Sequence, residues 1–297
     1  MSLFHKVIYT SKVNWLIRNV NYLLSPFLPN KIKIHPSGKL KVGLKNHESF
    51  YLRTNQTSYL TRELFWKKAE NFEYTEIFIG LISKVTTFFD VGANIGYYSI
   101  LGCKINPSLT VYAFEPSVGV MIYMCENLKI NNLLDKVFVE PFALSDVSGT
   151  IDFYEMKNLK FPAIYNLSGE HNIGAKKDRV ANKIKVESIT LDEYLSDKKI
   201  GNVDLIKLDT EGAEYQILSG AINTLNKFKP IIICETLFNR IEKELDMVMR
   251  KNDYRFYNHT NEGLKHVDTI VRADDDGVRN CFFVPVEKVN LIEEWVV

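Results

Sequence analysis

The chain has 297 residues, 46% hydrophobic and 25% charged, a composition typical of a globular protein long enough to bury a substantial core. Its 37 basic and 36 acidic residues leave a formal charge of +1, so no surplus of cations is available to displace counterions from a nucleic-acid backbone, and no nucleic-acid partner is expected. There is no apolar run long enough to span a bilayer and no signal-peptide pattern, and Cys103, Cys125, Cys234 and Cys281 are widely spaced without a C-x-x-C pair, so a cytoplasmic protein with buried free thiols is expected.

The first apolar stretch, residues 15–28, is patterned as a helix from Trp15 to Leu24 and is followed by Ser25-Pro26-Phe27-Leu28-Pro29 and by Lys31 and Lys33. Such a face is expected to pack on its own domain or on a second copy in a homodimer, with peripheral contact to a membrane surface as the alternative. Residues 1–75 are read as a helical and strand-containing cap, and the spacing of Leu60, Leu64, Phe65, Phe72 and Ile77 predicts one helix over 58–78. Residues 76–297 then form the main domain.

That domain opens on Phe88-Phe89-Asp90-Val91-Gly92-Ala93-Asn94-Ile95-Gly96-Tyr97-Tyr98-Ser99, an apolar strand running through a glycine turn into a helix. In a doubly wound α/β sheet this order builds a nucleotide site beyond the strand end. A dinucleotide turn requires G-x-G-x-x-G, but Asn94 and Tyr97 stand at the second and third glycine positions and would crowd a pyrophosphate. Asp90 at the head of the turn would repel phosphate and suit a cation. The turn bracketed by Gly92 and Gly96 therefore favours S-adenosyl-L-methionine, which carries a sulfonium and an ammonium group and no phosphate. The next strand, Leu109 to Phe114, ends in Glu115, placed to accept both ribose hydroxyls.

A helix over 120–130 leads to a strand at Lys136–Glu140, and Ile151–Tyr154 alternates as an edge strand. Residues 155–183 are polar and irregular, so the region around 151–188 is read as a substrate-loop insertion. Thr190 and Glu193 fit a capping box. A strand at Val203–Leu208 runs into Asp209-Thr210-Glu211-Gly212-Ala213-Glu214, and another at Pro230–Cys234 closes with Glu235. A helix over 241–249 and strands at 254–257 and 281–285 complete the sheet. Asp274-Asp275-Asp276-Gly277 contains a D-x-D, but with no apolar strand leading into it the segment reads as a hairpin turn.

Five core strands thus end in acids: Asp90, Glu115, Glu140, Asp209 with Glu211, and Glu235. The segments FFDVGANIGYYSI, VYAFEPS, VFVEPFALSD, ITLDEYL, VDLIKLDTEGAEYQILSGA and IIICE, taken in this order over residues 48–287, resemble the FkbM family of S-adenosylmethionine-dependent methyltransferases. The resemblance implies a seven-stranded, Rossmann-like, doubly wound sheet with an antiparallel last strand. It places Asp90, Gly92, Ala93 and Asn94 around the methionine part of the cofactor, Glu115 at the ribose, and Phe142, Ala143 and Leu144 at the adenine. Asp209 falls beside the amino group or the acceptor. The family's usual chemistry implies O-methylation of a hydroxyl, often on a saccharide.

An alcohol must lose its proton during methyl transfer, so a general base is required. Asp209 and Glu211, in the strand-to-helix turn, are the leading candidates; Glu214, Glu235 and His171 are others, and Lys207 can pair with a neighbouring acid or orient the acceptor. No metal-specific ligand spacing is present, although Asp209, Glu211 and Glu235 have the chemistry for Mg²⁺. Two other functions compete: an NAD-dependent oxidoreductase on a similar sheet, and a catalytically silent binding or scaffold domain. The acceptor expected is a small molecule or glycan, chosen by the cap and by residues 155–183.

Overall fold

In a computed structural model, which describes residues 3–27, 29, 32–45, 47–171 and 180–297, the chain begins with α1 (Leu3–Ile8), α2 (Ser11–Leu23), β1 (Gly38–Leu44) and β2 (His47–Thr54). Helices α3 (Tyr59–Lys67) and α4 (Thr75–Ile82) follow. The single helix expected over 58–78 is therefore broken. Ser58 caps α3 by accepting the Thr61 N–H, and the chain leaves the helix at Lys68, whose φ is 66°. It turns again at Glu73 (φ 43°) before α4. The apolar spacing runs through this interruption because both helices pack on one core.

The main unit proceeds through β3 (Thr87–Val91), α5 (Tyr97–Ile105), β4 (Thr110–Phe114), α6 (Val118–Ile130) and β5 (Val137–Glu140). Next come β6 (Ala143–Leu144), β7 (Gly149–Met156), β8 (Ala181–Ile189) and α7 (Leu191–Asp197). The chain then continues as β9 (Leu205–Leu208), α8 (Glu214–Ser219), α9 (Ile222–Phe228), β10 (Ile231–Glu235), α10 (Glu242–Lys251), β11 (Tyr254–His259), β12 (Leu264–Val267) and β13 (Asn280–Pro285).

Eight strands lie in the order β12-β11-β13-β10-β9-β3-β4-β5. β3, β4, β5, β9 and β10 pair in parallel, while β13 is antiparallel to both β10 and β11. The antiparallel last strand is as expected, but the count is eight rather than seven. The extra strand is β12, which folds back on β11 through the turn at Thr260–Gly263 and extends the sheet edge. Because β12 and β13 flank opposite sides of β11, the Asp274–Gly277 segment lies in a crossing loop and not in a hairpin turn. Asp275 and Asp276 there pair with Arg279 and Arg272.

Alternation along β3 divides the core. Phe88 packs with Phe78, Ile100 and Val111 on one face, in the same cluster as Leu40, Phe50 and Leu52 of the β1–β2 pair. Phe89 packs with Leu191, Ile206, Leu218 and Leu245 on the other. With both faces covered, every residue of β3 is buried. The chain order reverses where β3 lies between β4 and β9, which opens the crevice at their C-terminal ends. A separate three-stranded sheet, β6-β8-β7, stands beside this crevice and carries the insertion.

Candidate active site

The turn after β3 is held by its neighbours on both sides. The N–H groups of Gly92 and Ala93 donate to the Phe114 carbonyl at 3.1 and 3.0 Å, and Asp209 N–H donates to the Val91 carbonyl at 3.2 Å. Gly92 has φ +72°, Asn94 φ 51° and Gly96 φ +84°, so the backbone winds tightly enough to leave the strand-end cavity open. Glu115 completes the turn: its carboxylate accepts from Asn94 N–H at 3.1 Å and Ser117 N–H at 2.9 Å. Burial pushes this carboxyl up to about 7 despite those donors.

A cavity of ≈ 230 Å³ lies over these strand ends. Carboxyls of Glu73, Glu115, Asp209, Glu211 and Glu235 line it, and among the described residues Lys207 is the one lysine or arginine that does. Lys207 is buried within β9, with Nζ 3.4 Å from Asp90 Oδ1 and 3.4 Å from Asp209 Oδ2, and it donates to the Gly92 carbonyl at 3.1 Å. Burial alone would lower its proton affinity; Asp209, Asp90 and Glu73 outweigh that and raise it. The ammonium is thus already spent on the protein. Glu235 has a buried oxygen, Oε2, without a hydrogen-bond partner, and burial together with Asp209, Glu211 and Glu214 drives its carboxyl far above the ordinary range.

Glu73 escaped the sequence reading. It projects from the break between α3 and α4 into the cavity, open to solvent there, and it accepts the Tyr98 hydroxyl at 3.0 Å. Burial, reinforced by Asp209, lifts its carboxyl to about 7.

Of the residues read from sequence, Gly92, Ala93, Asn94, Glu115, Phe142, Ala143, Leu144, Asp209, Glu211 and Glu235 all line this cavity. Asp90 does not. Its Oδ2 accepts the Ser99 N–H and hydroxyl at 3.1 and 2.7 Å, which ties β3 to α5, and Oδ1 faces Lys207. Asp90 was expected at the methionine part of the cofactor; in the structure the alternation of β3 turns it under α5, where it ties strand to helix. Gly96 is likewise outside the cavity; a Cβ there would meet Met124 at 3.0 Å, so the glycine serves helix packing. Glu140 is turned away too, accepting the Tyr194 hydroxyl at 2.9 Å.

Two of the candidate bases have their polar atoms engaged within the protein. His171 lines the cavity, but Nδ1 accepts the Met156 N–H at 2.9 Å and Nε2 meets the Asn166 carbonyl at 2.8 Å. That pairing requires the neutral ring with its proton on Nε2, and it leaves no nitrogen free to take an acceptor's proton. Glu214 is buried and caps the Asp209 turn, accepting from Thr210 N–H, the Thr210 hydroxyl and Gly212 N–H. Among the described residues no group of three or more His, Cys, Asp or Glu side chains is arranged to hold a metal ion. The insertion segment 172–179 lies outside the described residues.

The family model of the methyltransferase FkbM domain matches residues 90–256, more than half of the chain. The chain belongs to the FkbM methyltransferase family. Among its relatives, 2-O-methyltransferase NoeI of Sinorhizobium fredii is 28% identical over 144 residues, covering 46% of this chain and 58% of its own length. Methyltransferase sdnD of Sordaria araneosa is 30% identical over 151 residues, with shares of 44% and 58%. The hexuronic acid methyltransferase AglP of Haloferax volcanii is 26% identical over 145 residues, with shares of 49% and 54%. This FkbM-family chain therefore spans little more than half the length of these relatives.

S-adenosyl-L-methionine is the methyl donor that goes with this family, and the residues present fit it. The cavity is strongly acidic, as suits a cationic and phosphate-free ligand. An unpartnered carboxyl oxygen stands ready at Glu235, and no uncommitted lysine or arginine lines the described cavity to bind phosphate.

Proposed function

We propose that this chain is an S-adenosyl-L-methionine-dependent O-methyltransferase whose acceptor is a hydroxyl of a saccharide or saccharide-containing molecule. The observation that carries the reading is the cavity at the β3/β9 switch point, with five carboxyls around it and its lysine already neutralised. Bound S-adenosyl-L-methionine supplies an electrophilic methyl group on a positively charged sulfur.

In this reading Glu115 accepts the ribose hydroxyls, and Phe142, Ala143 and Leu144 pack on the adenine. Gly92, Ala93 and Asn94 keep the turn thin beside the methionine part, where Asp209 favours its positive charge and the unpartnered Glu235 oxygen accepts a hydrogen bond. Lys207 fixes Asp209 and so orients the carboxylate edge toward the acceptor. Positioning of nucleophile and methyl in a site shielded from water supplies most of the acceleration. The acceptor hydroxyl loses its proton to a carboxylate among Glu73, Asp209 and Glu211. Glu73 fits that role best, because a proton affinity near neutrality balances ionisation against basicity. A saccharide acceptor is supported by one relative, a hexuronic acid methyltransferase, and methylation at oxygen by another, a 2-O-methyltransferase.

Calorimetry with S-adenosyl-L-methionine, S-adenosyl-L-homocysteine and NAD, on the intact chain and on Glu115→Ala, tests the cofactor assignment. Binding of the first two alone, lost in the variant, is expected; binding of NAD in their place would overturn it. Methyl transfer from labelled donor to a panel of neutral sugars and uronic acids tests the acceptor. Donor binding without transfer to any saccharide, but with transfer to a non-sugar alcohol, would remove the sugar from the proposal.

A further inference from the structure

Helix α2 is built inside out. Its buried side chains are Asn14, Arg18 and Asn21, spaced i, i+4 and i+7 on one face. Asn14 Nδ2 donates to the His35 carbonyl at 3.0 Å, and its Oδ1 accepts the Ser37 N–H at 2.7 Å. Arg18 donates to the carbonyls of Ser37 and Lys39 at 3.2 and 2.6 Å, and Asn21 Oδ1 accepts the Ile34 N–H at 3.0 Å. Polar bonds to the chain entering β1 hold the helix in place. The apolar residues point the other way: Trp15, Leu16, Val20 and Leu23 are between 48% and 76% exposed, and Phe27 just beyond them is 85% exposed.

The segment that carries this face is cationic. The first 47 residues contain seven lysines and one arginine and no acidic residue, while the remaining chain is acidic on balance. Lys12 stands on the exposed side of α2 itself, and Lys39, Lys41 and Lys45 are exposed along and just beyond β1. An exposed apolar stripe carrying a tryptophan, set in a positive field, matches an interface of acyl chains beneath anionic headgroups. Two copies meeting through this face would bring like charges together, which disfavours a homodimer here.

We infer that the outer face of α2, with Phe27, docks this protein on an anionic lipid surface. No helix among the described residues is long and apolar enough to cross a membrane, so the contact is peripheral. The docked face connects to the active site. Tyr22 packs on Phe65 and Trp66 of α3 at ring distances of 5.4 and 5.7 Å, and Tyr59 and Leu60 at the start of α3 line the cavity. The inference stands apart from the choice of acceptor.

Vesicle sedimentation tests it without any activity readout. The intact chain is expected to pellet with mixed phosphatidylcholine–phosphatidylglycerol vesicles about tenfold more strongly than with phosphatidylcholine alone, and raised salt should weaken the binding. Leu16→Glu/Leu23→Glu should abolish pelleting and Lys12→Glu should weaken it several-fold, both with unchanged melting temperature because these side chains face solvent. Trp15 emission should shift to the blue on the mixed vesicles. An intact chain left in the supernatant would overturn the inference, and so would a double variant that still pellets. A dimer in sedimentation equilibrium that Leu16→Glu dissolves would assign the face to a second copy instead.

Discussion

Gly92 passes so close to Asp209 that a Cβ on the glycine would lie 1.9 Å from the Asp209 carbonyl oxygen. This approach joins the ends of β3 and β9, the two strands between which the crevice opens, and it occurs at a φ of +72° that side chains avoid. Gly92→Ala must therefore separate the strand ends. We expect a loss of at least about 2 kcal/mol, read as a clear fall in Tm, together with loss of S-adenosyl-L-methionine binding by calorimetry. An alanine variant that melts and binds like the parent would show that the turn relaxes freely.

Lys207 neutralises Asp90 and Asp209 from a buried position, so its removal strands two carboxylates. Lys207→Met should cost about 3–5 kcal/mol, the range for breaking a buried ion pair by deleting one partner. Asp90→Asn keeps the shape of the group bonded to Ser99 and should lower Tm by less. Because Asp90 lies outside the cavity, the affinity for S-adenosyl-L-methionine should fall far less in Asp90→Asn than in Glu115→Gln. Equal losses in the two variants would return Asp90 to the cofactor surface.

The buried Glu115 carboxyl makes the ligand-free protein pH-sensitive in a defined direction. Its pKa is raised from 4.5 to about 7 on folding, so the folded state holds a proton that the unfolded chain has released. Stability from this group is present at low pH and is lost as pH rises from about 4.5 to about 7. With one pKa unit equal to about 1.4 kcal/mol, the loss is about 3 kcal/mol. Denaturant melts at pH 5 and pH 8 should show Glu115→Gln flattening this slope while abolishing cofactor binding. A slope unchanged by the substitution would place the titrating group elsewhere.

The parts of the site legible in the sequence are those made by consecutive residues. The Gly92–Asn94 turn, Glu115 directly after β4, and Phe142–Leu144 needed only a strand, a break and the next strand. Asp90 was expected at the methionine part of the cofactor; its bonds to Ser99 depend on how α5 packs over β3, which no spacing in the sequence marks. Glu73 gave no such signal. Its place depends on left-handed backbone at Lys68 and Glu73, and neither glycine nor proline marks that break. The engagement of His171 gave no signal for a related reason, since both its partners are backbone groups fixed by the fold of the insertion.

Glu73 supplies the sharpest test of the chemistry. If it takes the acceptor's proton, it must be ionised, so kcat/KM should decline as pH falls below about 7. A bound sulfonium stabilises the ionised carboxylate, which moves the corresponding limb of kcat to lower pH than that of kcat/KM. Glu73→Gln should reduce kcat by about 10²–10⁴-fold and erase the acidic limb, with the affinity for S-adenosyl-L-homocysteine retained. The Tyr98 hydroxyl supports this carboxylate, so Tyr98→Phe should move the limb upward in pH instead of erasing it. Were the limb to persist in Glu73→Gln and vanish in Asp209→Asn, the proton would pass to Asp209, and Glu73 would be left as the acid that raises the negative field around it.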